Sequence, residues 1–125
     1  MKKNNDIKKI GIVGSRRRNS EKDYQKIKRV FLREVGNSDI VITGGCREGA
    51  DYFAEILIEQ FNVQIVIFKP EWTKYGRIAT FMRNTQIASI SDVLIACVAI
   101  DRKGGTEDTI KKFKKFHPKG KLIFC

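Results

Sequence analysis

The sequence predicts an α/β fold of the Rossmann-like, three-layer kind: a parallel five-stranded sheet in the order 3-2-1-4-5 with helices on both faces. Three observations lead there. Short β-branched runs alternate with helix-periodic segments along the whole chain. One run, Asp92 to Val98, is apolar almost throughout, as a central strand covered on both faces must be. Glycine-bearing loops follow the strands, and right-handed crossovers bring all such loops to one edge of a parallel sheet.

Taken in order, Lys8 to Gly14 reads as the first strand, with Ser15 to Ser20 as its exit loop. Ser20, with Asp23 three residues on, suits the cap of a helix over Glu21 to Glu34, where Ile27, Val30, Phe31 and Val35 recur on one face. Asp39 to Thr43 is the second strand. Ala50 to Gln60 is the second helix, burying Phe53, Ala54, Leu57 and Phe61. Val63 to Phe68 is the third strand, and Lys69 to Thr80 a long connection carrying Pro70, Trp72, Tyr75 and Gly76. A helix over Phe81 to Ile90 leads into the fourth strand. Glu107 to Phe116 is the last helix, ended by Pro118 and Gly120, and Lys121 to Cys125 the fifth strand.

At 125 residues the chain reads as a single domain, residues 1–125, with 1–6 a flexible lead-in. The longest apolar run, Val93 to Ile100, is far short of a membrane span, and no signal peptide is visible. Cys46, Cys97 and Cys125 form no CxxC pair, which argues for free thiols in a reducing cytoplasm and against a zinc site. The formal net charge of +11 favours polyanions and nucleotides. Much of it is concentrated between Arg102 and Lys121, where the lysines flanking Phe113 and Phe116 fit the wet face of an amphipathic helix.

With the order 3-2-1-4-5, the loops after strands one and four flank the ligand crevice. The first holds Gly14, Ser15 and Arg16, the second Gly104, Gly105 and Thr106 at a helix start. Arg16 suits a phosphate clamp, whereas Arg17 and Arg18 read as solvated. Exposed helix N-termini beside permissive glycines suit an anion, although Thr106 equally suits a plain helix cap. After strand two, Gly44, Gly45 and Gly49 lead into a helix whose first turn holds Asp51, and the same choice between anion cradle and ordinary turn stands there. Arg83 and Asn84 combine a cation with an amide suited to a base or ribose, or sit on an ordinary surface. Asp51 suits ribose hydroxyls or a pair with Arg16 or Arg83. Trp72 and Tyr75 suit base stacking or packing over the sheet edge. His117 reads as a dipole partner at a helix end. No Ser-His-Asp, Cys-His or HExxH set assembles, and GxxxxGK[ST] and GxGxxG are both absent.

Gly11-Ile-Val-Gly-Ser-Arg16, Thr43-Gly-Gly-Cys-Arg-Glu-Gly-Ala-Asp51, Glu71-Trp-Thr-Lys-Tyr-Gly76, Met82-Arg-Asn84 and Gly104-Gly-Thr106, in this order, resemble the YspA-like branch of the SLOG superfamily. That superfamily includes the DNA-uptake protein DprA (Smf) and the LOG cytokinin-activating enzymes. The resemblance runs from about Ile7 to the end of the sequence. It implies a nucleotide or nucleotide-derived phosphate as ligand, a sensor or signalling role, and a homodimer. It places the family's glycine loop on Gly44, Gly45, Gly49, Ala50 and Asp51, its arginine-asparagine pair on Arg83 and Asn84, and its Gly-Thr element on Gly105 and Thr106. Two rival functions follow from the same resemblance. One is LOG-type cleavage of a nucleoside monophosphate, with Arg83 and Asp51 as catalytic residues; the other is single-stranded nucleic-acid binding. The LOG glutamate, three residues after Thr106, is replaced here by Thr109, and Glu107 and Asp108 point elsewhere on a helix. The expected site therefore comprises Gly14, Ser15, Arg16, Gly44, Gly45, Gly49, Asp51, Tyr75, Arg83, Asn84, Gly104, Gly105 and Thr106. No metal, cofactor or membrane is expected.

Overall fold

The computed structural model describes residues 7–125, and the expected flexible lead-in at 1–6 lies outside the described residues. The elements follow one another as β1 (Lys9–Gly14), α1 (Glu21–Glu34), β2 (Ile40–Thr43), α2 (Ala50–Phe61), β3 (Gln64–Ile67), α3 (Trp72–Tyr75), α4 (Ala79–Ile90), β4 (Val93–Cys97), α5 (Gly105–Phe116) and β5 (Lys121–Phe124). All five strands are parallel and lie in the order β3-β2-β1-β4-β5. The direction of strand order reverses between β1 and β4, where Gly14 pairs with Cys97.

Alternating side chains of the central strands feed two cores. Ile10, Ile12, Ile95 and Cys97 join Ile27, Phe31, Ala54 and Leu57 beneath α1 and α2. Val13, Ile42, Leu94 and Ala96 join Ile87, Ala88, Ile110 and Phe113 beneath α4 and α5. Every residue of β4 is buried, which is why its sequence carries no polar alternation. Two carboxylates hold the entry of β1: the Lys8 amide donates to Asp39 at 3.0 Å and the Lys9 amide to Asp92 at 2.9 Å.

Ser20 caps α1 in a reciprocal capping box with Asp23. Two helices begin earlier than periodicity predicts. The connection after β3 coils into α3 and a 3-10 turn over Gly76–Ile78, which runs directly into α4 at Ala79. The last helix, α5, begins at Gly105 because Gly104, at φ 123°, takes the capping position. Thr106 is thus inside the first turn and is not the cap. Among the described residues, no helix is long and apolar enough to cross a membrane.

Candidate functional site

A cavity of about 440 Å³ opens at the carboxyl edge of the sheet, at the β1/β4 reversal. The loop after β1 contributes Gly14, Ser15, Arg16 and Arg17; the loop after β4 and the start of α5 contribute Lys103, Gly104, Gly105 and Thr106. Asp51 of α2, Phe81, Arg83 and Asn84 of α4, Thr109 of α5, and Cys46 complete the polar wall, with Val13 and Ile87 as apolar floor. Two loops remote in sequence therefore meet because a parallel sheet places both at one edge.

Arg83 is the best-positioned cation. Its Nη1 donates to the Gly44 carbonyl at 2.8 Å and its Nε to Asn84 Oδ1 at 2.9 Å. Both acceptors are neutral, and among the described residues no carboxylate lies within ion-pair distance of the guanidinium. The group is thus aimed without being neutralised. Asn84 is buried, and its amide donates to the Gly105 carbonyl at 3.3 Å and to Asp108 at 3.1 Å. Its polar atoms therefore link Arg83 to the first turn of α5. Lys112 holds Asp108 from the next turn, at 2.8 Å.

Asp51 is buried beside this cluster and accepts from the Cys46 amide at 3.1 Å. Burial pushes its carboxyl above the ordinary range, and the Cys46 amide and the Arg83 charge offset that only in part. Gly104 offers no side-chain cap to α5, so the first amides of that helix have no side-chain acceptor at the capping position. Glu107 and Asp108 occupy the same turn; Glu107 is bound by Arg102 in two hydrogen bonds, of 2.8 and 2.9 Å.

Gly44, Gly45 and Gly49 do not line the cavity. Gly44 instead makes room behind it: a Cβ there would run into Arg83 Nη1 and lie 3.0 Å from Asp51. Gly45 faces Ile67 and Lys69. Gly49, at φ 77°, passes so close to the first loop that a Cβ would lie 2.6 Å from the Ser15 carbonyl, and its amide donates to Asn19 at 2.7 Å. The loop thereby sets the position of Arg83, Asp51 and Ser15. Trp72 and Tyr75 also stand away from the cavity wall, Tyr75 beneath the Lys74 ammonium. Among the described residues, Phe81, half exposed, is the aromatic residue that lines it, and sequence reading passed over it; its place two residues before Arg83 was the available signal.

Arg17 and Arg18 are not merely solvated. Arg17 grips Asp101 through two hydrogen bonds, and Arg18 is held in the structure by Asp23 and by the carbonyls of Val98 and Cys125. His117 caps α5, its ring Nε2 3.0 Å from the Ser89 carbonyl. Among the described residues no cluster of His, Cys, Asp or Glu is arranged to hold a metal ion.

No protein-family model matches the chain, and no curated protein does. Among solved structures, the chain is similar to DNA processing protein A from Helicobacter pylori, for which a single-stranded DNA binding mode has been described. The TM-score is 0.70 at 17% identity, over 93% of this chain and 64% of that one. At this identity the likeness shows the fold alone. The chain spans less than two-thirds of that protein's length.

Proposed function

We propose that the protein binds a nucleotide or nucleotide-derived phosphate in the cavity at the carboxyl edge, as a sensor or signalling module. The observation that carries this reading is Arg83, a guanidinium held by neutral oxygens in a hollow it shares with Arg16, Lys103 and the first turn of α5. Planar donors, a helix N-terminus and a local excess of cations all favour a phosphate there. The volume of about 440 Å³ lies in the usual small-ligand range of roughly 300–1,000 Å³. Gly14, Ser15, Arg16, Gly104, Gly105 and Thr106 face the phosphate. Phe81 offers a surface for the base, with Asp51 and Asn84 as the polar wall between. Gly44, Gly45 and Gly49 support the site from outside it, and Tyr75 stands apart from it.

Binding is favoured over turnover. A glycosidic-bond hydrolase needs an ionised carboxylate at the sugar, and Thr109 puts a hydroxyl on that wall. Asp51 is the carboxyl that lines the cavity, and its burial favours the neutral form. Arg83 and Asp51 are therefore catalytic residues only under the hydrolase alternative. The test is calorimetric titration with nucleoside 5′-monophosphates and the matching nucleosides, followed by chromatography for free base. Phosphate-dependent binding without base release is the expected result; no heat and no thermal shift with any monophosphate sinks the reading.

A second reading, single-stranded nucleic acid across the same edge, draws on the net charge of +11 and on the fold likeness. It requires affinity for oligonucleotides that falls steeply with salt. Binding that depends on monophosphate alone and ignores added nucleotides removes it.

A further inference from the structure

Two of the three cysteines stand side by side. The pairing of Ala96 with Phe124 across β4 and β5 makes Cys97 and Cys125 the next matched positions. The Cys125 amide donates to the Ala96 carbonyl at 3.0 Å, the bond that such a matched parallel pair makes. Both side chains lie on the sheet face under α1 and α2: Cys97 inside that core, Cys125 packed against it. Neighbouring strands run about 4.7–4.9 Å apart, inside the roughly 4.4–6.8 Å Cα separation that a disulfide spans. Both thiols are free, Cys97 fully buried and Cys125 partly open to solvent.

We propose that Cys97 and Cys125 are a redox pair that closes to an intrachain disulfide with a hydroperoxide as oxidant and is reopened by a small thiol. The accessible Cys125 sulfur attacks the peroxide, the O–O bond breaks, the alcohol leaves (water, for hydrogen peroxide) and a sulfenic acid forms. Cys97 then attacks that sulfur; the S–O bond breaks, the S–S bond forms, and the Cys97 proton leaves with the departing hydroxide as water. Two electrons pass from the two sulfurs to the peroxide. The surroundings favour Cys125 as the sulfur that attacks first. The closeness of the two thiols, with burial, pushes Cys97 up, and the same closeness, aided by Arg18, Arg33 and Lys26 against the effect of burial, draws Cys125 down. Arg18 also donates to the Cys125 carbonyl at 3.1 Å and the Val98 carbonyl at 2.8 Å, pinning the two chain segments together.

The pair adjoins the cavity. The Cys97 carbonyl accepts from the Ser15 amide at 2.9 Å, and a Cβ on Gly14 would lie 2.9 Å from the Cys97 Cβ. Movement of Cys97 toward Cys125 therefore bears on the segment that seats Ser15 and Arg16. The redox chemistry itself needs no ligand, so it stands or falls apart from nucleotide binding.

The full chain is treated with hydrogen peroxide, and its disulfides are mapped by mass spectrometry before and after dithiothreitol. The expected result is loss of two hydrogens, with a reducible link between the peptides carrying Cys97 and Cys125. Cys125→Ser abolishes the link and Cys46→Ser leaves it intact. Cooperative thermal unfolding of both variants verifies that they fold. Unreacted thiols, sulfinic acids without a link, a link through Cys46, or a link between chains each overturns the proposal.

Discussion

The Arg17 guanidinium meets the Asp101 carboxylate through two hydrogen bonds, of 2.9 and 2.7 Å, and so ties the loop after β1 to the loop after β4 across the mouth of the cavity. Arg17 also donates to the Lys103 carbonyl at 3.0 Å. Both side chains are about half exposed, so the pair is a strap and not a source of stability. If the cavity takes a phosphate as proposed, that phosphate competes with Asp101 for Arg17.

Asp101→Asn releases that guanidinium while its amide oxygen still accepts from the Lys103 amide, as Asp101 does at 3.0 Å. The variant is expected to bind nucleoside monophosphates about two- to fivefold more tightly at low salt, the range of an exposed ion pair. The gain should shrink as salt rises. Calorimetry on the two proteins checks this, and weaker binding by the variant would show that the strap shapes the site instead of competing for it.

Arg18 and Asp23 form a more enclosed pair, 2.6 Å apart with side chains 16% and 13% exposed. Burial works to raise the Asp23 carboxyl, but Arg18 together with the hydroxyl and amide of Ser20 outweighs it, leaving the group below its ordinary value. A depressed carboxylate contributes stability that is complete above its unfolded value and is lost as pH falls through the folded one. Asp23→Asn is therefore expected to cost about 2 kcal/mol at neutral pH, since it removes the charge from a mostly buried pair and leaves one oxygen where two accepted from Arg18 and Ser20. The difference from the parent should vanish as pH falls below about 4. Urea unfolding at neutral and acidic pH reads both effects, and a gap independent of pH refutes the assignment.

These two arginines mark what the sequence could and could not disclose. The parallel sheet and its central β4 followed from the alternation of elements and from an unbroken apolar run, because periodicity and burial are local properties of sequence, and the strand order is the common one for such a sheet. Loop convergence followed from topology alone, which is why Gly14, Arg16 and Gly104 could be placed at one edge. Arg18 has a near partner in Asp23, but Asp101, which Arg17 grips, and the Val98 carbonyl, which Arg18 also reaches, lie far along the chain, and no local pattern encodes such a match. The glycine loop after β2 shows the same limit. Its composition signals close backbone approach, but only folding decides that Gly49 meets Ser15 and that Gly44 yields to Arg83. The coil of Trp72–Tyr75 carries too few residues for a periodic signal, and the helix that Phe81 was expected to open begins at Ala79, which carries Phe81 inside its first turn.

Asp51 supplies a pH test. Its carboxyl is raised by burial, with the Cys46 amide and Arg83 opposing and Glu55 reinforcing. A raised folded-state value gives stability that is full below the unfolded value and is lost as pH rises through the folded one. Ionisation of Asp51 also places a negative charge in the wall of a cavity proposed for an anion. With the phosphate's own protonation at about pH 6 accounted for, monophosphate affinity is therefore expected to rise as pH falls toward the acid range. Asp51→Asn should flatten that profile and match or exceed the parent's thermal stability at neutral pH. A variant that keeps the same pH slope assigns the titration elsewhere.

Gly44→Ala isolates the residue on which the binding proposal turns. The backbone there has no positive φ, so alanine is sterically admissible and tends to reduce unfolded-state entropy. Its Cβ would collide with Arg83 Nη1, the far end of a long side chain that can swing away. Displacing it breaks the 2.8 Å bond to the Gly44 carbonyl and dissolves the fork shared with Asn84. Monophosphate affinity is expected to fall about tenfold, the loss of one charge-assisted contact, while thermal stability changes by less than about 1 kcal/mol. In an Arg83→Met background the same substitution should have no further effect on affinity, because the group it displaces is gone. Additive losses in the double variant would mean that Gly44 acts on the ligand by another route, and that Arg83 is not the cation the cavity is built around.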